Sequence, residues 1–166
     1  GLGDVYKRQR LNNRQIHAPR GKMVGGSSSM NSMIYIRGNA SDYDNWEAKG
    51  CAGWGWKEVL PFFKRSEKNV IQQDLAFHGV DGELFVDHPK DPNPLSKLFI
   101  QAAALLNLKE NQDFNAASSE GVGIYDVTQR DGQRLSSFKA FVQPILTRSN
   151  LTVVTECEVE RIPVSY

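Results

Sequence analysis

Several features are scarce in this 166-residue sequence, and each scarcity removes a class of function. Cysteine occurs only at Cys51 and Cys157, with no CxxC and no metal-ligand spacing, so neither a disulfide framework nor a metal centre is expected. Free thiols of a reducing compartment fit better. Charge of one sign is missing too: 20 Lys and Arg stand against 19 Asp and Glu, a formal net charge of +1, which gives no electrostatic reason to expect nucleic acid as a partner. No apolar run approaches the ~20 residues of a membrane span, and the N-terminal residues lack the pattern of a signal peptide. Local catalytic motifs are equally absent. Lys22 precedes Gly25 and Gly26 rather than following them as in a Walker phosphate loop, and no serine satisfies GxSxG. His17, His78 and His88 show neither ligand spacing nor an obvious acid partner, so surface or capping roles are expected for them. Asp42 and Asp44 suffice as helix caps, and Trp46, Trp54 and Trp56 as buried aromatics.

What is present is a length suited to about one domain and a hydrophobic content of 40%. The stretch Gly21–Asn31, GKMVGGSSSMN, is a poor helix or strand interior, because glycine loses much backbone entropy and serine competes for backbone groups. Two readings stand for it: an ordinary turn, or a cradle of N–H and hydroxyl groups for a phosphate or an acceptor-rich heterocycle. Around it the pattern predicts mixed helix and strand. A helix capped by Ser41 and Asp44 ends at Gly50, a second runs over Lys57–Glu67 with Val59, Leu60, Phe62 and Phe63 in the core, and Leu95–Leu108 carries a clear apolar stripe behind Pro94. Strands are expected at Glu83–Asp87 after an Asp81-Gly82 turn, at Gly121–Gln129 before an Asp131-Gly132 turn, and at Leu151–Thr155 and Glu158–Ile162. Ser136 or Ser137 is placed to cap a further helix that Pro144 kinks or shortens.

The run Gly21–Asp44, GKMVGGSSSMNSMIYIRGNASDYD, resembles the first signature segment of the glucose-methanol-choline (GMC) oxidoreductases. Agreement continues through Trp46, Gly53-Trp54, Val59 to Phe63, His78-Gly79, Asp81-Gly82, Arg134, Ser136, Ala140, Pro144 and Asn150-Leu151, and so covers roughly Leu11–Ile162. Within the family the similarity is greatest to the choline dehydrogenase and alcohol dehydrogenase branch. The resemblance implies an α+β or α/β fold: a segment of a Rossmann-like FAD-binding domain over residues 11–40, substrate-domain and lid residues over 41–150, and strands returning to the FAD domain over 151–162. Residues 1–10 and 163–166 are expected to be extraneous. It further implies FAD as cofactor, contacted by Val24, Gly26, Ser27, Asn31, Ser32 and Ile34, with Val159 at the position whose backbone meets adenine. Met30 stands where some relatives carry a flavin-linking histidine, so the flavin is expected to be held non-covalently. The implied reaction is hydride removal from the CH–OH carbon of a primary alcohol or choline-like substrate, with a quinone or oxygen as final acceptor. The family's GxGxxG, its second signature and its catalytic histidine pair are missing, so an internal, inactive fragment without catalytic residues is expected. The expected location is the cytoplasm, or the inner-membrane periphery for the parent enzyme. An FAD-containing hydroxynitrile lyase and a non-enzymatic binding module are the alternative readings.

Overall fold

The computed structural model describes residues 3–7, 15–159 and 161–163, with side-chain surroundings from Pro19 onward. Strand β1 (Gly3–Lys7) pairs antiparallel with β2 (Gln15–Pro19), which delivers the chain to the glycine-serine loop. His17 lies in β2, and its side chain is outside the described set.

Helix α1 (Ala40–Ala48) begins two residues earlier than expected. Its N-cap is Asn39, whose backbone N–H donates to the Asp42 carboxylate at 2.8 Å, so the acid works at the third helical position rather than Ser41 acting as cap. Asp44 caps the neighbouring helix instead: it accepts the N–H of Trp56, the first residue of α2 (Trp56–Ser66), at 2.8 Å. Tyr43 joins the two helices, with ring centroids 5.3 Å from Trp46, 5.5 Å from Trp56 and 5.7 Å from Phe63. Burial falls short of the sequence expectation here, since α2 has no fully buried residue and Phe62, Trp46 and Trp54 are exposed.

Strand β3 (Glu67–Asn69) follows α2 directly and pairs in parallel with β4 (Leu84–Val86). Asp81-Gly82 therefore does not turn a hairpin; the Gly82 N–H bonds the Glu67 carbonyl at 2.9 Å within the crossover. Alongside β4 the chain at Val127 exchanges hydrogen bonds with Asp87, at 2.8 and 3.1 Å, and bridges Ile34 on its other side. The expected strand over Gly121–Gln129 is thus reduced to single bridges, with the regular hairpin confined to β5 (Gln129–Arg130) and β6 (Gln133–Arg134). Its turn has positive φ at both Asp131 (54°) and Gly132 (74°), the geometry that Asp-Gly favours. Val86, Val127, Leu135 and Ala140 form the buried apolar centre.

Helix α3 (Pro94–Ala104) starts as expected, with Pro94 in the first turn and the Asn93 side chain accepting the Leu95 N–H at 2.9 Å. It stops four residues early, and most of the apolar stripe is exposed, both Leu95, Leu98 and Phe99 on the helix and Leu105 and Leu106 just beyond it, the last two at 85% and 75%. After Ser136, whose hydroxyl accepts the Lys139 N–H at 3.3 Å, a wide π-type turn (Phe138–Val142) and a 3-10 turn (Gln143–Ile145) replace the expected helix around Pro144. Among the described residues beyond Leu151 there is no strand, because no neighbouring edge lies beside them to supply ladder bonds.

Candidate functional site

Positive φ at Gly25 (86°) and Gly26 (57°) lets the chain reverse after Val24 and enter a 3-10 turn over Gly26–Ser29. The Gly26 N–H returns to the Met23 carbonyl at 2.8 Å, and the Ser27 carbonyl accepts the N–H groups of Met30 and Asn31 at 3.1 and 2.9 Å. Two of the three serine hydroxyls are consumed inside the loop: Ser27 accepts the Gly21 N–H at 3.1 Å and Ser29 donates to the Val24 carbonyl at 2.7 Å. The third, Ser28, donates to the Gly25 carbonyl and accepts the Ser137 N–H at 2.9 Å. A Cβ on Gly25 would stand 3.1 Å from the Ser136 hydroxyl, so close approach as well as backbone sign calls for glycine there.

The loop is fastened from more than a hundred residues away. Arg134 on β6 donates to the Ser28 carbonyl at 3.2 Å and to the Asn31 side-chain oxygen at 2.9 Å, while the Ser137 hydroxyl donates to the Gly25 carbonyl at 3.2 Å. On the far side of the loop Met33, at φ 62°, offers its carbonyl to the Thr128 N–H at 2.8 Å, and the Tyr35 N–H bonds the Asp126 carbonyl at 2.9 Å. The candidate residues Val24, Gly26, Ser27, Asn31, Ser32 and Ile34 thereby share one pinned segment. Val24, Met30 and Ile34 expose apolar side chains at 45%, 50% and 46%. Among the described residues the Asn31 amide nitrogen and the Ser32 hydroxyl have no hydrogen-bond partner. Apolar side chains beside unused donors fit a flat heterocycle with acceptor atoms at its edge, so the residues present suit a flavin. Val159 is not brought to this segment by any described contact; it is exposed on the irregular chain after Leu151.

Behind the loop lies a buried polar cluster that the sequence did not disclose. His78, 1% exposed, is bracketed by Glu67 at 2.8 Å and Asp113 at 2.9 Å, which overturns its expected surface role. Arg37 bonds Glu67 at 2.7 Å, the Phe77 carbonyl at 2.7 Å and the Tyr35 hydroxyl at 3.2 Å. Burial alone would lower the His78 pKa, but the hydrogen bonds and charges of Asp113 and Glu67 raise it to about 9. Glu67 and Asp113 are held below the usual carboxylate range; burial opposes this, and the His78 hydrogen bond leads the groups that outweigh it. Asn69 and Gln73 extend the cluster to Asp126, whose pKa burial raises and which also bonds His88 at 2.8 Å. A lone histidine 11 residues from one carboxylate and 35 from another leaves no local signal, so only the fold could reveal these partners. Among the described residues no set of three His, Cys, Asp or Glu side chains converges to hold a metal ion, and no helix is long and apolar enough to cross a membrane.

Residues 6–165 match the family model described as GMC oxidoreductase, a wider span than the motifs alone delimit. An alcohol dehydrogenase [acceptor] of Pseudomonas putida is 48% identical over 154 residues, which are 93% of this chain and 28% of that protein. An oxygen-dependent choline dehydrogenase of Sinorhizobium fredii is 42% identical over 144 residues, 87% of this chain and 26% of that protein. The chain therefore spans somewhat over a quarter of the length of these curated relatives. Among solved structures, pyridoxine 4-oxidase from Mesorbium loti superposes with a TM-score of 0.78 at 33% identity, covering 93% of this chain and 31% of that one. An FAD-dependent oxidoreductase from Chaetomium thermophilum gives 0.76 at 29% identity, covering 90% and 28%. The matched family model is that of an FAD-binding Rossmann-type domain, and the helices and small sheets seen here are of the same mixed α/β character. With its signature loop intact and its whole length but the first five residues and the last matched, this chain belongs to the GMC oxidoreductase family.

Proposed function

We propose that this chain is part of an FAD-dependent oxidoreductase acting on the CH–OH group of a primary alcohol or a choline-like substrate, and that its glycine-serine loop forms one wall of the cofactor site. The observation that carries the reading is the pinned segment Val24–Ile34, which leaves three apolar side chains and the donors of Asn31 and Ser32 exposed within one short stretch. FAD, when bound, supplies the hydride acceptor. The chain's own residues bind and orient: Ile34, Val24 and Met30 offer apolar surface to a ring, Asn31 and Ser32 donate to its polar edge, and Gly26 allows close backbone approach. Met30 carries no ring nitrogen for a flavin link, which supports a non-covalent cofactor. Val159 is assigned to the adenine end on the resemblance alone.

The base and the remaining walls are assigned to polypeptide outside this sequence. His78 is enclosed by two carboxylates, one on each ring nitrogen, so it has no free nitrogen with which to take a hydroxyl proton. Residues 11–40 are assigned to the FAD-binding domain, 41–150 to the substrate domain and lid, and 151–162 to a return toward the cofactor, while the family match over residues 6–165 speaks against reading 6–10 and 163–165 as extraneous. Quinone or oxygen is the terminal acceptor on this reading, in the cytoplasm or at the inner-membrane periphery. The purified chain is expected to be colourless and inactive, while a polypeptide of the relatives' length carrying this sequence is expected to be yellow and to release all its FAD on acid denaturation. Flavin remaining with the precipitated protein would overturn the non-covalent assignment, and alcohol-dependent dye reduction by the chain alone would overturn the division of the site.

A further inference from the structure

We propose that Arg134 is a positioning residue that sets the orientation of the Asn31 side-chain amide, turning its oxygen into the protein and its NH2 outward as a donor to an acceptor on the bound heterocycle. The outward half of this statement rests on the flavin reading given above; the inward half does not.

Hydrogen-bond valence fixes which way the amide faces. The Asn31 oxygen receives two donors, the Arg134 guanidinium at 2.9 Å and the Met33 backbone N–H at 3.0 Å. An amide nitrogen cannot accept either of them, so a flipped amide would oppose donor to donor at both contacts. The nitrogen consequently faces away, and among the described residues it has no partner. Arg134 is well suited to this task because its charge is permanent and its planar group reaches two acceptors: the same nitrogen that meets Asn31 also donates to the Ser28 carbonyl at 3.2 Å. It thus ties Ser28, inside the 3-10 turn, to Asn31 beyond its end. Its own placement follows from the tight Asp131-Gly132 turn, which fixes the register of β6 against β5 and with it the side chain of Arg134.

A second fastening makes the proposal separable from simple loosening of the loop. Ser137 holds Gly25 and Ser28 through its N–H and hydroxyl, independently of Arg134. Removing the guanidinium should therefore release Asn31 and leave the Ser28 end in place.

The test uses the 15N-labelled full chain and its Arg134→Met, Arg134→Lys and Asn31→Asp variants. Hydrogen exchange at the Met33 N–H reports whether the Asn31 oxygen still points inward, exchange at the Ser137 N–H reports the independent fastening, and titration with FAD to millimolar concentration reports on the Asn31 side-chain NH2. In Arg134→Met we expect Met33 protection to fall about tenfold, the scale of one charge-assisted hydrogen bond, with Ser137 unchanged. Lysine should restore part of the protection. The FAD-induced shift of the Asn31 NH2 should shrink in Arg134→Met. Asn31→Asp should retain Met33 protection yet weaken FAD binding, because it keeps the acceptor and removes the donor. Unchanged Met33 protection in Arg134→Met, or equal loss at Met33 and Ser137, would overturn the proposal. If FAD shifts no resonance between Val24 and Ile34 in a polypeptide of the relatives' length while the exchange pattern holds, the orienting role of Arg134 stands and the flavin reading fails.

Discussion

Raising the pH should loosen this protein at its buried polar cluster before anything else fails. His78 joins Glu67 and Asp113, Glu67 joins Arg37, and Arg37 joins the segment that leaves the candidate loop. A histidine pKa lifted from 6.5 to about 9 corresponds to about 3 kcal/mol of stabilisation by the protonated ring. Because the folded value lies above the unfolded one, this contribution is complete below pH 6.5, declines above it and is gone once the pH passes about 9. The two carboxylates work in the opposite sense: their folded values are depressed, so their contribution is present above the unfolded values of 4.5 and 3.8 and is lost as acid protonates them. Stability should therefore be greatest between the two limbs. Urea unfolding followed by tryptophan emission from pH 5 to 10 measures the alkaline limb, and His78→Gln should abolish it. That variant leaves Glu67 and Asp113 facing a neutral amide, a loss of about 3 to 5 kcal/mol at pH 6 for breaking a buried pair. A stability profile flat from pH 6.5 to 10, or an alkaline limb that survives in His78→Gln, would refute the assignment of the charge to His78.

Three further outcomes follow from the packing. A Cβ on Gly79 would overlap the Lys64 carbonyl oxygen, so Gly79→Ala should cost on the order of 3 kcal/mol through overpacking, read as a lower urea midpoint. Gly132→Ala should cost about 1 to 2 kcal/mol, since an L-residue at φ 74° meets its own carbonyl; an unchanged midpoint would show that the hairpin has relaxed to another turn. Leu105→Ser with Leu106→Ser should leave the midpoint within about 0.5 kcal/mol, because both side chains stand in solvent, and light scattering should show less self-association.

The α3 stripe shows how local pattern and tertiary fate divide. Its periodicity and Pro94 were sufficient to place the helix, because those signals act within a turn or two of the chain, but periodicity says only that a face is apolar and not what covers it. The Asp131-Gly132 turn was legible for the same local reason, whereas the similar Asp81-Gly82 pair sits in a parallel crossover, since strand direction depends on partners that lie elsewhere in the sequence. The candidate loop divides likewise. Its glycines and serines, and the family they signal, are written in consecutive residues, so Val24 to Ile34 could be named from the sequence alone. Arg134 and Ser137 as its fastenings, and His78 as a charged keystone rather than a surface histidine, could not. These contacts span 11 to 109 residues, and a hydrogen bond or ion pair at such separation exists only once the backbone between its partners has been folded into place.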